Sequence, residues 1–354
     1  MNLRKKFVSA LCLFFLFLCI WIISSSNNEM KDSLLVQKRN YVYMENFILS
    51  PSEIYCERSS FLTIIVTSYV GHVELRSAHR RAMPSTLLES MNITRVFLLS
   101  KIPADEKYIT QEAVKNEHSI FDDILQGSFV ENYRNLTLKH LMGLRWASSV
   151  CKPTYILKVD DDTVFNLERT YKLLLSLGIQ ETLLMGYMLN NTVPRRNTEN
   201  KWYVTHQEYN LNKYPTYLSG WYYITTTSVA SKLCDVALYQ SHHFWIDDIY
   251  ITGILSNIIG VKLKQVPKDF WLEYYELLEC CMTDMIKKLI RCNYVVGPNG
   301  GRNNLIFEFN ESLRNCDKQK NCVERSVGRP LKDLCVVYRE RDIFSNGRGE
   351  VKQI

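Results

Sequence analysis

Three consecutive carboxylates, Asp160-Asp161-Asp162, follow the apolar run Tyr155-Ile156-Leu157-Lys158-Val159. The run reads as a buried strand. Carboxylates at the end of such a strand repel one another and resist leaving water, so they need a cation. A hard divalent ion is the natural partner, and Mg²⁺ or Mn²⁺ in such a place usually also holds a substrate diphosphate. An acidic turn closing the strand is the plainer reading. A second acidic cluster, Asp247-Asp248, follows Trp245 and Ile246. One cluster can hold the metal while a carboxylate of the other removes a proton. Aspartate just ahead of a helix is also a good N-cap, which gives that position a structural use of its own.

Two further sets of residues could touch a ligand. Arg76 and Arg80 are one helical turn apart and can face the same phosphate or uracil, or can form a solvated basic face. Trp202, Tyr203, Tyr217, Trp221, Tyr222 and Tyr223 surround Gly220 in sequence. Their rings could stack on sugars or nucleobases, or could pack the core.

These residues need a scaffold. Phe61–Val66 and Arg95–Leu99 read as strands, as does Tyr155–Val159. Helical spacing spans Arg76–Met83, Leu136–Ser149, Leu167–Leu177, Ser228–Leu238 and Asp247–Ile259. Lys201–Val204 and Tyr217–Thr225 are aromatic and β-prone. Strands alternating with helices predict an α/β domain with a largely parallel sheet.

The chain has 354 residues and a net charge of +6, of which Arg4, Lys5 and Lys6 contribute +3. No basic block suits nucleic acid. Phe7–Ile23 carries no charge and follows those three cations. It predicts a short, uncleaved membrane anchor with a cytoplasmic N-terminus and a lumenal body, suited to the thinner membranes of the early secretory pathway. Asn92, Asn135, Asn190 and Asn310 each head a glycosylation sequon. Of the 11 cysteines, Cys12 and Cys19 lie in the apolar stretch. An odd number remains for the body, so at least one is free or bridges to another chain, possible as a disulfide-linked dimer. Expected boundaries are a cytoplasmic tail at 1–6, an anchor at 7–23, a stem at 24–60, a catalytic domain at 61–268 and a cysteine-rich extension at 269–354.

The ordered motifs of Phe61–Val266 resemble the β1,3-glycosyltransferases, the family of β1,3-galactosyltransferases and β1,3-N-acetylglucosaminyltransferases. They are Thr67-Ser68, Arg76-x-Ala78-x-Arg80, Asp123-Ile124 with Phe129 and Tyr133, and Asn135-Leu-Thr-Leu-Lys139. Trp146 with Cys151, Lys158–Asp162, Pro194-Arg195, Lys201–Val204 and Glu208-Tyr209 continue the order. Tyr214-Pro-x-Tyr217, Ser219-Gly220 and Asp248-Ile-Tyr250 complete it.

The resemblance implies a type II Golgi membrane protein with a GT-A type nucleotide-sugar-binding domain. It implies that Asp160, Asp161 and Asp162 meet Mn²⁺ (or Mg²⁺) and the UDP diphosphate, with Asp160 and Asp162 as metal ligands. Asp248 would be the base, and Thr67, Arg76, Arg80 and Lys139 would lie near the nucleotide. Trp202, Tyr203, Gly220, Trp221 and Asp247 are the candidate substrate contacts. The implied reaction moves a hexose, galactose first, from a UDP-hexose to a hydroxyl of a glycan on a glycoprotein or glycolipid, in β1,3 linkage with inversion. N-acetylglucosaminyl or N-acetylgalactosaminyl transfer, and an inactive glycan-binding relative, are the alternatives.

This chain departs from the family pattern in four places. Asp247 stands where the family usually has Glu, and Met83 where it has Trp. Trp221 and Tyr222 replace glycines, and Ile254 replaces a Cys. No histidine follows His243, whereas relatives commonly complete the metal site with one beyond the Asp-x-Tyr motif. Asp269, Glu273 and Glu276 are the acidic residues that could take its place.

Overall fold

The computed structural model describes residues 30–57, 61–319, 322–326, 328, 330–338 and 350–353, with Phe17, Leu18, Trp21, Ile22 and Ser25. Most of the expected anchor at 7–23 lies outside the described residues. Among those described, no helix is long and apolar enough to cross a membrane.

Helix α1 (residues 30–45) leads into β1 (Phe47–Leu49) and α2 (Glu53–Glu57). Strand β2 (Leu62–Thr67) is buried at every position, as a central strand covered on both faces must be. Helices α3 (Val73–Ala82) and α4 (Ser85–Ser90) follow, then β3 (Ile93–Lys101). Helix α5 (Gln111–Phe121) starts at Thr110, whose side chain accepts from Ala113 N, and stops at Asp122, which turns left-handed with φ 49°. Strand β4 (Ile124–Val130), α6 (Leu136–Trp146) and β5 (Tyr155–Asp160) complete the first half.

The second half holds β6 (Thr163–Phe165), α7 (Leu167–Leu177), β7 (Leu184–Leu189), β8 (Tyr217–Thr226) and α8 (Thr227–Leu238). A π-helical turn, Ile249–Leu255, runs into α9 (Ser256–Ile258), and β9 (Lys264–Gln265) follows. Last come α10 (Tyr275–Lys288), β10 (Val296–Pro298), α11 (Leu305–Gln319), α12 (Leu331–Leu334), β11 (Cys335–Tyr338) and β12 (Glu350–Gln353).

Eight strands form one mixed sheet in the order β1-β4-β3-β2-β5-β8-β7-β9. The pairs β4/β3, β3/β2 and β2/β5 are parallel, whereas β8 runs antiparallel to β5 and β7. Successive β2 residues point to opposite sides of the sheet. Leu62, Ile64 and Val66 join a core with Ala78, Ala82, Phe165 and Trp271, while Ile65 joins one with Leu141, Leu144 and Leu233.

The chain moves outward from β2 through β3 to β4, then returns to lay β5 on the other side of β2. The crevice beyond the carboxyl ends of β2 and β5 is therefore a topological switch point, where open α/β sheets bind ligands. Thr67 and Asp160 are register partners at those two ends.

Two expected boundaries need correction. Within the expected stem at 24–60, residues 40 and 56 already belong to the body: Asn40 Nδ2 donates to Ala237 O at 3.2 Å and to Leu238 O at 3.0 Å, and Cys56 is bonded to Cys151. Nor is 269–354 an appendage. Phe270, Trp271, Leu272 and Phe309 enter the main core, and β10 pairs with β6. Disulfides Cys280–Cys335, Cys281–Cys292 and Cys316–Cys322 staple that segment. The odd cysteine is Cys234, buried in the core, with Sγ 3.7 Å from Leu141 O. It is the free cysteine among the described residues, and burial removes it as a bridge to a second chain. The segment Lys201–Val204 is a turn that makes one isolated bridge, Tyr203 to Arg195, and forms no strand.

Candidate active site

The switch point opens into a cavity of about 1000 Å³ bordered by both acidic clusters. Asp160, Asp161 and Asp162 turn off the end of β5. Asp247 and Asp248 reach the same space from the residues ahead of the π-helical turn. Asp248 Oδ1 also accepts from Ile249 N at 2.8 Å, so the residue does cap that turn. Capping leaves Oδ2 for other partners, and the two sequence readings of Asp248 are compatible.

Lys158 joins the clusters. Its Nζ is buried and lies 2.6 Å from Asp160 Oδ1, 2.5 Å from Gly220 O and 3.9 Å from Asp247 Oδ2. Burial opposes the ammonium, but the charges of Asp160 and Asp247 outweigh it and hold the pKa above its ordinary value. Sequence motifs include Lys158 but give no sign of this bridging role, which depends on β8 lying against β5.

Behind Asp247 stands His140, fully buried on α6. Its Nδ1 is 2.9 Å from Asp247 Oδ2, and its Nε2 contacts the Tyr223 hydroxyl. Burial lowers the pKa of His140 and raises that of Tyr223, so the ring is neutral and the phenol keeps its proton. Tyr223 then donates to Nε2, and Nδ1–H donates to Asp247. Burial alone would raise the Asp247 pKa, but the His140 hydrogen bond and the Lys158 charge bring it below the carboxylate range. Asp248 goes the other way, lifted by burial and then by the charge of Asp247. Two adjacent aspartates are thus driven apart, one a fixed anion and one a poised base.

Asp160 is pushed up to about 7 by burial and by the charges of Asp162 and Asp247, against Lys158. Asp162 is raised by burial and then by Asp161. Oxygen donors whose charge is this poorly compensated suit a hard cation. Asp160 and Asp162 are the carboxylates that would hold such an ion, with Asp160 Oδ1 also 2.6 Å from Lys158 Nζ. Among the described residues, no group of three or more His, Cys, Asp or Glu forms a complete protein ligand set. Asp161 instead turns its Oδ2 to His72 Nδ1 at 2.9 Å. His72, half-exposed at the cavity edge, is a site residue that sequence reasoning missed. Its signal was its place in the loop between β2 and α3, directly ahead of α3.

Thr67 Oγ1 and the Tyr214 hydroxyl are buried, border the cavity and have no hydrogen-bond partner in the chain. Buried polar atoms are rarely left so unless a ligand or water meets them. Trp202 and Lys201 form an outer rim, where Trp202 Nε1 donates to Tyr133 OH at 3.0 Å.

Other expected contacts move. Arg76 is buried, with its guanidinium held by Glu117 Oε2 at 2.7 Å and by the carbonyls of Tyr69 and Val70. Arg80 pairs with Asp123 at 2.7 Å and Glu117 at 2.7 Å and faces a second, smaller cavity. Arg76 braces the loop after β2, Arg80 ties α3 to Glu117 and Asp123, and neither borders the main cavity, so the one-turn spacing serves a shared glutamate. Lys139 borders it, but Nζ is committed to Glu131 at 2.6 Å and Ser68 O at 2.8 Å. Tyr203 lies outside it. Of the acidic residues considered for a further ligand, Glu273 borders the cavity, Asp269 faces Arg169 at 3.6 Å and Glu276 is buried elsewhere.

Of the sequons, Asn92 and Asn190 are exposed and Asn135 is partly buried, its Nδ2 donating to Val130 O at 2.8 Å. Asn310 is buried, and its Nδ2 donates to Phe165 O at 3.1 Å and Ile306 O at 2.9 Å. A glycan does not fit there, which corrects that expectation.

A cleft at a switch point, with a few charged groups converging in it and a poised carboxylate beside a carboxylate pair, is the form of a small-molecule catalytic site. Residues 75–267, more than half of the chain, match the Galactosyltransferase family, and the chain belongs to it. It is 30% identical to mouse beta-1,3-galactosyltransferase 2 over 66% of this chain and 56% of that protein. The chain thus spans little more than half the length of that relative. It is 28% identical to pig UDP-GalNAc:beta-1,3-N-acetylgalactosaminyltransferase 1 over 76% of this chain and 83% of that one. A solved galactosyltransferase, LgtC with donor and acceptor sugar analogues, aligns with 72% of this chain and 95% of its own at 11% identity and a TM-score of 0.39.

Proposed function

We propose that this chain is an inverting β1,3-hexosyltransferase. It moves a hexose, galactose first, from a UDP-sugar to a hydroxyl of a glycan carried by protein or lipid. The observation that carries this reading is Asp248: a partly buried carboxyl of raised pKa that borders the same cavity as Asp160 and Asp162. Family membership and the names of the relatives support the substrate class.

A divalent cation held by Asp160 and Asp162 would supply charge neutralisation at the departing diphosphate. Asp248 accepts the proton of the acceptor hydroxyl as that oxygen attacks the anomeric carbon from the face opposite UDP. Asp247, fixed by His140 and Lys158, keeps Asp248 basic near neutral pH. Thr67 and Tyr214 offer free hydroxyls to the donor. The cleft walls hold the two sugars in line, which lowers the entropic part of the barrier to a two-substrate transfer.

An N-acetylgalactosamine donor is the second reading, favoured by the relative whose length is matched over 83%. Phe7–Ile23 behind three cations, and four disulfides among the described residues, support a single-pass Golgi protein with its site in the lumen. Incubation with UDP-galactose, UDP-N-acetylgalactosamine, UDP-N-acetylglucosamine, UDP-glucose and UDP-glucuronate over a set of glycans tests the function. A β1,3-linked product is expected; release of phosphate or UDP with no transferred sugar would point to a hydrolase.

A further inference from the structure

Strand β8 departs from regular pairing beside the proposed base. Gly186 on β7 pairs with Tyr223, and Met188 pairs with Leu218, so two steps along β7 face five along β8. The surplus residues, Ser219–Tyr222, form a bulge with no partners on β7, while Tyr222 still pairs with Val159 on β5. At Gly220 an added Cβ would lie 3.3 Å from Asp248 Cβ and 3.6 Å from its Oδ2. Gly220 thus fits against the base, and Trp221 is the first side chain beyond it.

Trp221 belongs to a stack of three rings. Its indole lies 5.4 Å from that of Trp271 with 12° between planes, and Trp271 lies 4.8 Å from Tyr187 with 13° between planes. Trp271, in the middle, is covered on both faces and almost fully buried. Tyr187 and Trp221 are only partly buried, and all three rings border the cavity together with Glu273. Tyr187 OH lies 3.4 Å from Glu273 Oε1, so a carboxylate stands at one end of the stack.

We propose that this stack is the acceptor subsite, in which the apolar face of a pyranose lies on Trp221 while Glu273 accepts hydrogen bonds from its hydroxyls. The assignment rests on Asp248 being the base, because Trp221 follows the glycine that abuts it. Charge selects the ligand class. Glu273 repels a diphosphate, whereas a neutral sugar presents CH groups to the ring and OH groups to the carboxylate. The parallel stack holds Trp221 rigid, so little side-chain entropy is lost when a sugar docks.

Binding of methyl β-galactoside and methyl N-acetyl-β-glucosaminide to the full chain, read by saturation-transfer NMR and titration, tests this apart from catalysis. UDP binding is measured in parallel. Trp221→Ala is expected to weaken the better glycoside about tenfold, the scale of losing one aromatic contact. Trp221→Phe should restore part of that loss, Glu273→Gln should weaken glycoside binding further, and UDP affinity should stay within about twofold throughout. Retained glycoside binding in Trp221→Ala, a matching loss of UDP affinity, or no glycoside binding by the wild type would each overturn the subsite. Glycoside binding that needs Trp221, in a chain that transfers no sugar from any UDP-donor, would uphold the subsite and refute the transferase reading instead.

Discussion

His140 Nδ1 stands 2.9 Å from Asp247 Oδ2, and this hydrogen bond holds a negative charge beside Asp248. Asp248 is raised by burial and then by that charge, so it ionises above the usual carboxylate range. A base works only when deprotonated, so turnover rises with pH through the Asp248 ionisation. Asp247→Asn removes the like charge while leaving Lys158 in place. The acid limb of the kcat profile should move to lower pH, and a limb that stays put or moves up would show that Asp247 does not tune the base.

Gly220 leaves Asp248 its position. A Cβ at 220 would come within 3.3 Å of Asp248 Cβ, tight enough to displace the carboxylate slightly. A displacement of 1 Å can cost on the order of 100-fold in rate, and a few tenths of an ångström about tenfold. Gly220→Ala should lower kcat by about that much with UDP affinity unchanged. Normal kcat in this variant would place the base elsewhere.

The cation site can be read from its ligands. Asp162→Ala should abolish metal-dependent UDP binding, measured by calorimetry with and without Mn²⁺. With carboxylates and no histidine after residue 243, Mn²⁺ and Mg²⁺ should activate to similar extents, because imidazole is the ligand that favours Mn²⁺. Strong Mn²⁺ selectivity would mean a nitrogen ligand, and His72, the histidine bordering the cavity among the described residues, would then be the residue to replace.

Glycan occupancy should follow exposure. Peptide mapping of protein from a secretory host should find glycans at Asn92 or Asn190 and none at Asn310, which is buried with its amide bonded to two carbonyls. A glycan at Asn310 would require α11 to leave β6.

The sequence shows the central strands and both acidic clusters, because β2 and β5 are continuous apolar runs that end in chemistry-bearing residues. It shows the helix carrying Arg76 and Arg80 but not what those arginines do. Their partners are Glu117 on α5 and Asp123 just ahead of β4, and the sequence reading placed no element there. Lys158, His140 and the bulge at Ser219–Tyr222 stay hidden for a related reason, since each takes its role from a strand or helix distant in sequence. The sequence reading assigns no elements after residue 268, although α10 and α11 run to 14 and 15 residues. Folded, the segment supplies Trp271 and Glu273 to the cleft and pairs β10 with β6. Its place in the core comes from long-range packing and disulfides, which no local motif announces.

The most direct test pairs transfer with donor binding in Asp248→Asn. The wild-type chain, given its preferred UDP-hexose and a glycan acceptor, should yield a β-linked product of inverted anomeric configuration by NMR. Asp248→Asn should bind UDP as the wild type does while kcat falls by roughly 100-fold or more, the scale of losing a general base. A product of retained configuration, or near-normal turnover in Asp248→Asn, would contradict the assignment of Asp248 as the base of an inverting transfer.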